Sequence, residues 1–284
     1  MSRTKSRQAA GASQGGYSLV ELLVVSAILL IVLAPIFGAI DQLIKRSQAE
    51  GVKVDLTQQA REFVDEFERD LHQAGYPNCR MFNTGSNCPA QYSNAAIAAG
   101  LVSVSNTQIV FEGDVDGDGI VDTVRYRLVD SAGNYPPTGT CPCTLQRSQM
   151  SKVNGTAPLS QPTTFSQEVQ NVVNSGVPGG TAVYGGGLAI AGNTSWGQSN
   201  TAYYAAVTTF KDFPVFTAYD QSGNVIPLPQ DITTVSGQQT LPTIRSIRLT
   251  LNLLANQVAG TDMDSKTRPV ETLVGNGRLV NDTF

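Results

Sequence analysis

The apolar positions of this 284-residue chain change their period twice. From Tyr17 to Phe37 they are almost continuous. These 21 residues, at a rise of about 1.5 Å each, give a helix of about 30 Å, one bilayer core. A single acid, Glu21, interrupts the run; a carboxylate in hydrocarbon is costly and marks function by default. Pro35 and Gly38 near its far end predict a kink or a loosened turn. After Asp41 the spacing becomes helical and one-sided. Leu56, Ala60, Phe63, Phe67, Leu71 and Ala74 step by four, three, four, four and three, with Arg61, Glu62, Asp65, Glu66, Glu68 and Arg69 filling the polar side. That is an amphipathic stripe, and Gly75-Tyr76-Pro77 stops it. One helix is therefore predicted from about Tyr17 to Ala74.

Beyond Pro77 the helical period disappears. Thr107–Glu112 and Thr123–Val129 alternate in part and are β-branched or aromatic, which predicts strands. Thr144–Gln149, Ala182–Tyr184, Leu188–Ala191, Tyr203–Phe210, Val215–Tyr219 and Val225–Pro227 are further candidates. Ile244–Leu254 alternates most cleanly. Glu168–Val173 reads as a short helix. Residues 130–143 and 174–201 are Gly/Pro/Ser/Asn-rich loops. The fold class is thus α+β: a long N-terminal helix packed on an antiparallel sheet.

Charge sharpens the first segment. Residues 1–16 carry Arg3, Lys5 and Arg7 and no acid, and cations on that side hold the N-terminus in the cytoplasm. An ordinary secretory signal would place a small-residue cut site after its apolar run. Here the candidate site, Gly16, precedes it, so the run is retained as an anchor. Without the leader, 16 basic residues face 23 acidic ones, a formal −7, which argues against a broad nucleic-acid surface.

The glycine, the acid at Glu21 and the apolar run, at this spacing, resemble the type IV prepilin signal. The resemblance implies peptidase cleavage after Gly16, methylation of the new N-terminus at Tyr17 (usually Phe in that family), and a charge pair between Glu21 and that amine during filament docking. It also implies inner-membrane anchoring with a periplasmic head, then export to the pilus. Its implied partners are prepilin peptidase, other minor and major pilins, the assembly platform and membrane lipid. The run Glu66-Phe67-Glu68-Arg69-Asp70-Leu71-His72-Gln73-Ala74-Gly75-Tyr76-Pro77 looks like the helix end of the PilW-like minor pilins, which implies a role in priming pilus assembly. A capped amphipathic helix would explain most of those residues too. The implied organisation is a leader at 1–16, a membrane and filament-core helix at 17–40, an amphipathic helix at 41–75 and a β-rich head at 76–284. A type II secretion minor pseudopilin shares this logic, and a pilus-tip adhesin is the reading from another class.

A second constellation lies between the first two predicted strands. Asp114, Asp116, Asp118 and Asp122 stand at positions 1, 3, 5 and 9 of a loop with Gly119 at position 6. Calcium takes six to eight oxygens, and alternate positions on a tight loop converge on one point. Ile120 would add its carbonyl. The loop resembles those of EF-hand, dockerin and thrombospondin-repeat proteins, but Arg125 stands where an EF-hand has its bidentate Glu, and the flanks are strands. An acidic hairpin turn without a ligand is the rival reading, but four aspartates this close repel one another without a cation, which favours the ligand.

The four cysteines are Cys79, Cys88, Cys141 and Cys143. An exported protein can oxidise them. Cys79–Cys88 brackets a short turn-rich loop and is favoured; Cys141 and Cys143 then pair locally or stay reduced, and crossed pairing is the rival. The spacing is poor for zinc, and His72 is the only histidine. No nucleophile elbow, phosphate loop or H-E-x-x-H helix is present in the sequence. Gly185-Gly186-Gly187 and Trp196 sit in loop sequence. Nothing here predicts an enzyme.

Overall fold

The computed structural model describes residues 18–78, 94–137, 141, 143–174, 210, 213–254 and 270–280. Gly16, Tyr17, Cys79, Cys88, Trp196, the glycine triplet, the strands expected at 182–184 and 188–191, and that at 203–210 save for Phe210 lie outside the described residues. The chain divides into two units, at Gln48/Ala49.

Helix α1 runs from Leu19 to Gln73. It continues through Pro35 and Gly38, because one proline removes a single ladder bond and the apolar helix formers on either side carry the helix across. Leu19–Gln48 is long and apolar enough to cross a membrane, and none of its described side chains is buried. At the other end Gly75 takes a φ of +81°, the left-handed stop that glycine supplies without strain.

Among the described residues the head carries one ten-stranded sheet. Its strands are β1 (Leu101–Val104), β2 (Gln108–Gly113), β3 (Asp122–Val129), β4 (Cys143–Ser151), β5 (Ser166–Val172), β6 (Phe216–Tyr219), β7 (Val225–Ile226), β8 (Gln230–Asp231), β9 (Ser246–Leu254) and β10 (Val270–Arg278). A six-residue helix α2 (Val235–Thr240) precedes β9. Strand order is β7-β6-β9-β5-β4-β3-β2-β1-β8, with β10 on the other side of β9. All pairings are antiparallel.

The strands expected around 107–112, 123–129, 144–149, 215–219, 225–227 and 244–254 are present with shifted ends. The helix expected at Glu168–Val173 is absent: this segment is strand β5. Its pairing with β4 shifts register twice. Each bulge adds a residue to the alternation, so buried Val169 and Val172 stand three apart and imitate a helical period.

The stripe of α1 packs on one face of the sheet. Ala60, Phe63, Val64, Phe67, Leu71 and Ala74 are buried there. The rings of Phe63 and Phe67 meet Tyr126 edge-on, at 5.5 and 5.4 Å between centroids, a geometry worth about 0.5–1.5 kcal/mol per pair beyond area burial. Strand β9 pairs with β6 at one end and reaches β5 only at Leu253. Between them, buried Asn174 acts as a backbone substitute: its amide donates to the Thr250 carbonyl at 2.7 Å and accepts the Asn252 N–H at 2.9 Å.

Candidate functional site

The loop joining β2 to β3 is built on its own aspartates. Both oxygens of Asp114 accept backbone N–H groups, from Gly117 at 2.9 Å and Gly119 at 3.0 Å. Asp116 accepts from Asp118 N at 3.2 Å, and Asp118 from Ile120 N at 2.7 Å. Gly117 and Gly119 take φ values of +77° and +85°, which other residues adopt only under strain. One carboxylate oxygen from each of Asp114, Asp116 and Asp118 lies within 4.8 Å of the others. Three of the four expected carboxylates therefore converge.

Asp122 does not join that triplet. It is buried at the start of β3 and accepts the Gln149 amide at 2.7 Å; the same amide stands 3.4 Å from Asp116. Burial pushes the Asp122 carboxyl above its ordinary value, and the Asp116 and Asp118 charges push it further, against the Gln149 hydrogen bond.

Gln149 begins a polar relay absent from the sequence reading. Its carbonyl accepts Arg147 Nη2 at 2.9 Å. Arg147 in turn bonds Asp70 of α1 through Nη2 at 2.7 Å and Nε at 3.0 Å, and stands 3.4 Å from Glu66. The Tyr126 hydroxyl donates to the same Asp70 oxygen at 2.6 Å. Burial and the Asp70 charge push the Tyr126 hydroxyl well above its ordinary value. Burial likewise raises Glu66 despite Arg147. The loop also meets the helix end directly. Asp114 N donates to the Tyr76 carbonyl at 2.8 Å, and Gly75 N to the Glu112 carbonyl at 2.8 Å. Asp70 does carry a sequence signal: it lies between Phe67 and Ala74 on the apolar stripe, where a solvated charge does not belong.

Cys141 and Cys143, both buried, are joined by a disulfide. Glu21 is exposed in the first turn of α1, where the helix dipole favours an anion.

The region around Glu21 also has a counterpart among known families. Residues 11–37 match the prokaryotic N-terminal methylation motif. That motif, of type IV prepilin kind, indicates a pilin-like or pseudopilin-like protein. With the apolar α1 behind it, the motif fits an inner-membrane-anchored, pilus-associated protein. It implies association with other pilins and with the assembly machinery, and it suggests a structural rather than an enzymatic role. No curated protein and no solved structure matches the chain.

Proposed function

We propose that this chain is a minor pilin of the PilW-like kind that takes part in priming type IV pilus assembly. The observation that carries the proposal is the methylation motif ending in an exposed apolar helix with Glu21 in its first turn. The leader is cut after Gly16 and Tyr17 is methylated. The head faces the periplasm until the chain joins the filament. There Glu21 meets the Tyr17 amine, and each charge offsets the cost of the other in an apolar medium.

Mass spectrometry of the mature protein tests the processing: an N-terminus at methylated Tyr17 is expected, and an intact leader overturns it. Glu21→Ala should leave the head folded and reduce incorporation into pili at least ~tenfold, a loss of about 1.4 kcal/mol in docking. Normal incorporation removes the charge-pair mechanism. Deletion of the chain should abolish or thin piliation; intact pili with lost protein secretion would instead make it a pseudopilin.

The head's acidic loop is proposed to hold calcium. In support, oxygens of Asp114, Asp116 and Asp118 converge, and Asp122 lies one amide away. The donor set is all oxygen, as a hard cation requires. Isothermal titration of the full chain in detergent should show calcium heat and a rise in melting temperature. Neither change, at millimolar calcium, would remove this part of the proposal.

A further inference from the structure

The sheet face turned away from α1 carries a polar row that the assembly role leaves unused. Gln108, Arg127, Gln146 and Gln167 are direct cross-strand partners on β2, β3, β4 and β5. At ~4.8 Å per strand the row is about 14 Å long, the span of roughly three linked pyranose rings. Two aromatics flank it. Arg127 lies over the Phe165 ring with its guanidinium carbon 3.5 Å from the centroid, and 6.0 Å from that of Tyr135.

Arg127 differs from the other arginines of these strands. Arg147 is held by two carboxylates of α1, and Arg125 donates to the carbonyls of Pro158, Leu159 and Gln161. Among the described residues, Arg127 donates through Nε alone, to the Gln146 carbonyl at 3.0 Å. Among the described residues, no carboxylate lies within ion-pair distance of it. Stacking fixes the guanidinium plane and Gln146 fixes its rotation, so its two terminal nitrogens form a preset fork for a planar anion. The Tyr135 hydroxyl is pinned on Gln108 at 2.9 Å, while the residue as a whole is 36% exposed. The carbonyl oxygens of Gln108, Gln146 and Gln167 already accept from Tyr135, Arg127 and Gln170, so each amide turns its nitrogen to donate, which suits hydroxyl oxygens.

We propose that this row is a binding site for an anionic polysaccharide, with one uronate carboxylate on Arg127, hydroxyls on the glutamine amides and a sugar face on Tyr135. The choice of ligand follows from the charge pattern. Arg125, on the same face, spends its guanidinium on backbone carbonyls, so among the described residues Arg127 is the arginine of this row with terminal nitrogens to offer, which fits a polymer with sparse carboxylates and many hydroxyls. A nucleic acid needs several cations along its backbone, and this chain is acidic. The site does not depend on the assembly role, so the two can fail separately.

The test uses the full chain in detergent micelles and oligogalacturonate as probe. Binding is expected with the uronate oligomer, and binding at least ~tenfold weaker with the same oligomer after its carboxyls are reduced to alcohols. Arg127→Gln should weaken uronate binding by at least ~tenfold and Tyr135→Ala several-fold, each with an unchanged melting temperature. Arg248→Gln, which alters an arginine stacked on Tyr219 of β6, should bind as the unaltered chain does. The proposal is overturned by absent uronate binding, by equal binding of polyphosphate or an oligodeoxynucleotide, or by unchanged binding in Arg127→Gln.

Discussion

Lys152 and Glu112 have no exposed side-chain surface and touch through Nζ and Oε2 at 2.5 Å. Lys152 also donates to the Ile97 carbonyl, and Glu112 Oε2 accepts the Ala99 N–H. Burial pushes the Glu112 carboxyl above its ordinary value, against the pull of Lys152 and of hydrogen bonds from Lys152, Ala99 and Thr123. Removing one member leaves a buried charge alone, which costs about 3–5 kcal/mol. Lys152→Met should therefore lower the unfolding free energy by that much, read from denaturant titration. The double variant Glu112→Leu/Lys152→Met should recover most of it, short of the bond lost at Ala99 N. Additive losses, with the double variant costing as much as the two single variants together, would show that the pair is not coupled. The same logic explains what the sequence conceals at this scale. Asp70 and Arg147 occupy core-facing positions by periodicity, yet their partners lie 77 residues apart, and no local pattern announces a pair across that distance.

Among the elements, those with a side-chain period were legible and those without one were not. The stripe of α1 and the alternation of β9 were visible because burial repeats along them. Strand β10 was missed because its core-facing positions include Gly275 and Gly277, which erase the apolar half of the alternation. The glycines are there for approach. A Cβ at Gly277 would stand 2.9 Å from Leu71 Cβ and press on its Cδ1, and one at Gly275 would meet Val64. Gly277→Val should cost about 1–3 kcal/mol by overpacking, read as a lower denaturation midpoint with an unchanged m-value. A neutral result would mean that α1 can shift away from β10. Strand β5 was misread for the opposite reason: its bulges created a false period. The acidic loop was legible in its residues but not in its geometry. Spacing named four aspartates, and burial at the start of β3, between β2 and β4, turned Asp122 toward Gln149.

For the whole molecule, acid and calcium should act in opposition. Asp122 and Glu66 both have carboxyls raised by burial. In the window between the ordinary carboxylate value and the raised one, the folded chain binds more protons than the unfolded chain. Stability from these groups is then present at low pH and lost as pH rises through the folded value. Without calcium, melting temperature should fall across that window as pH increases. Bound calcium favours ionised Asp122, so millimolar calcium should flatten or reverse the slope. A slope that calcium leaves unchanged would separate Asp122 from the cation site.

The junction of α1 with the sheet has a mechanical side. Glu68 accepts the Asn276 amide of β10, Asp70 holds Arg147 of β4, Gly75 donates to Glu112 of β2, and Tyr76 accepts from Asp114 in the loop beyond. These attachments fall within nine residues of chain but land on strands at opposite sides of β9, β5 and β3. Tension arriving along α1 is thus divided among several strands at once instead of peeling one from its neighbour. In a fibre that is pulled, such a joint yields only when its attachments give way together.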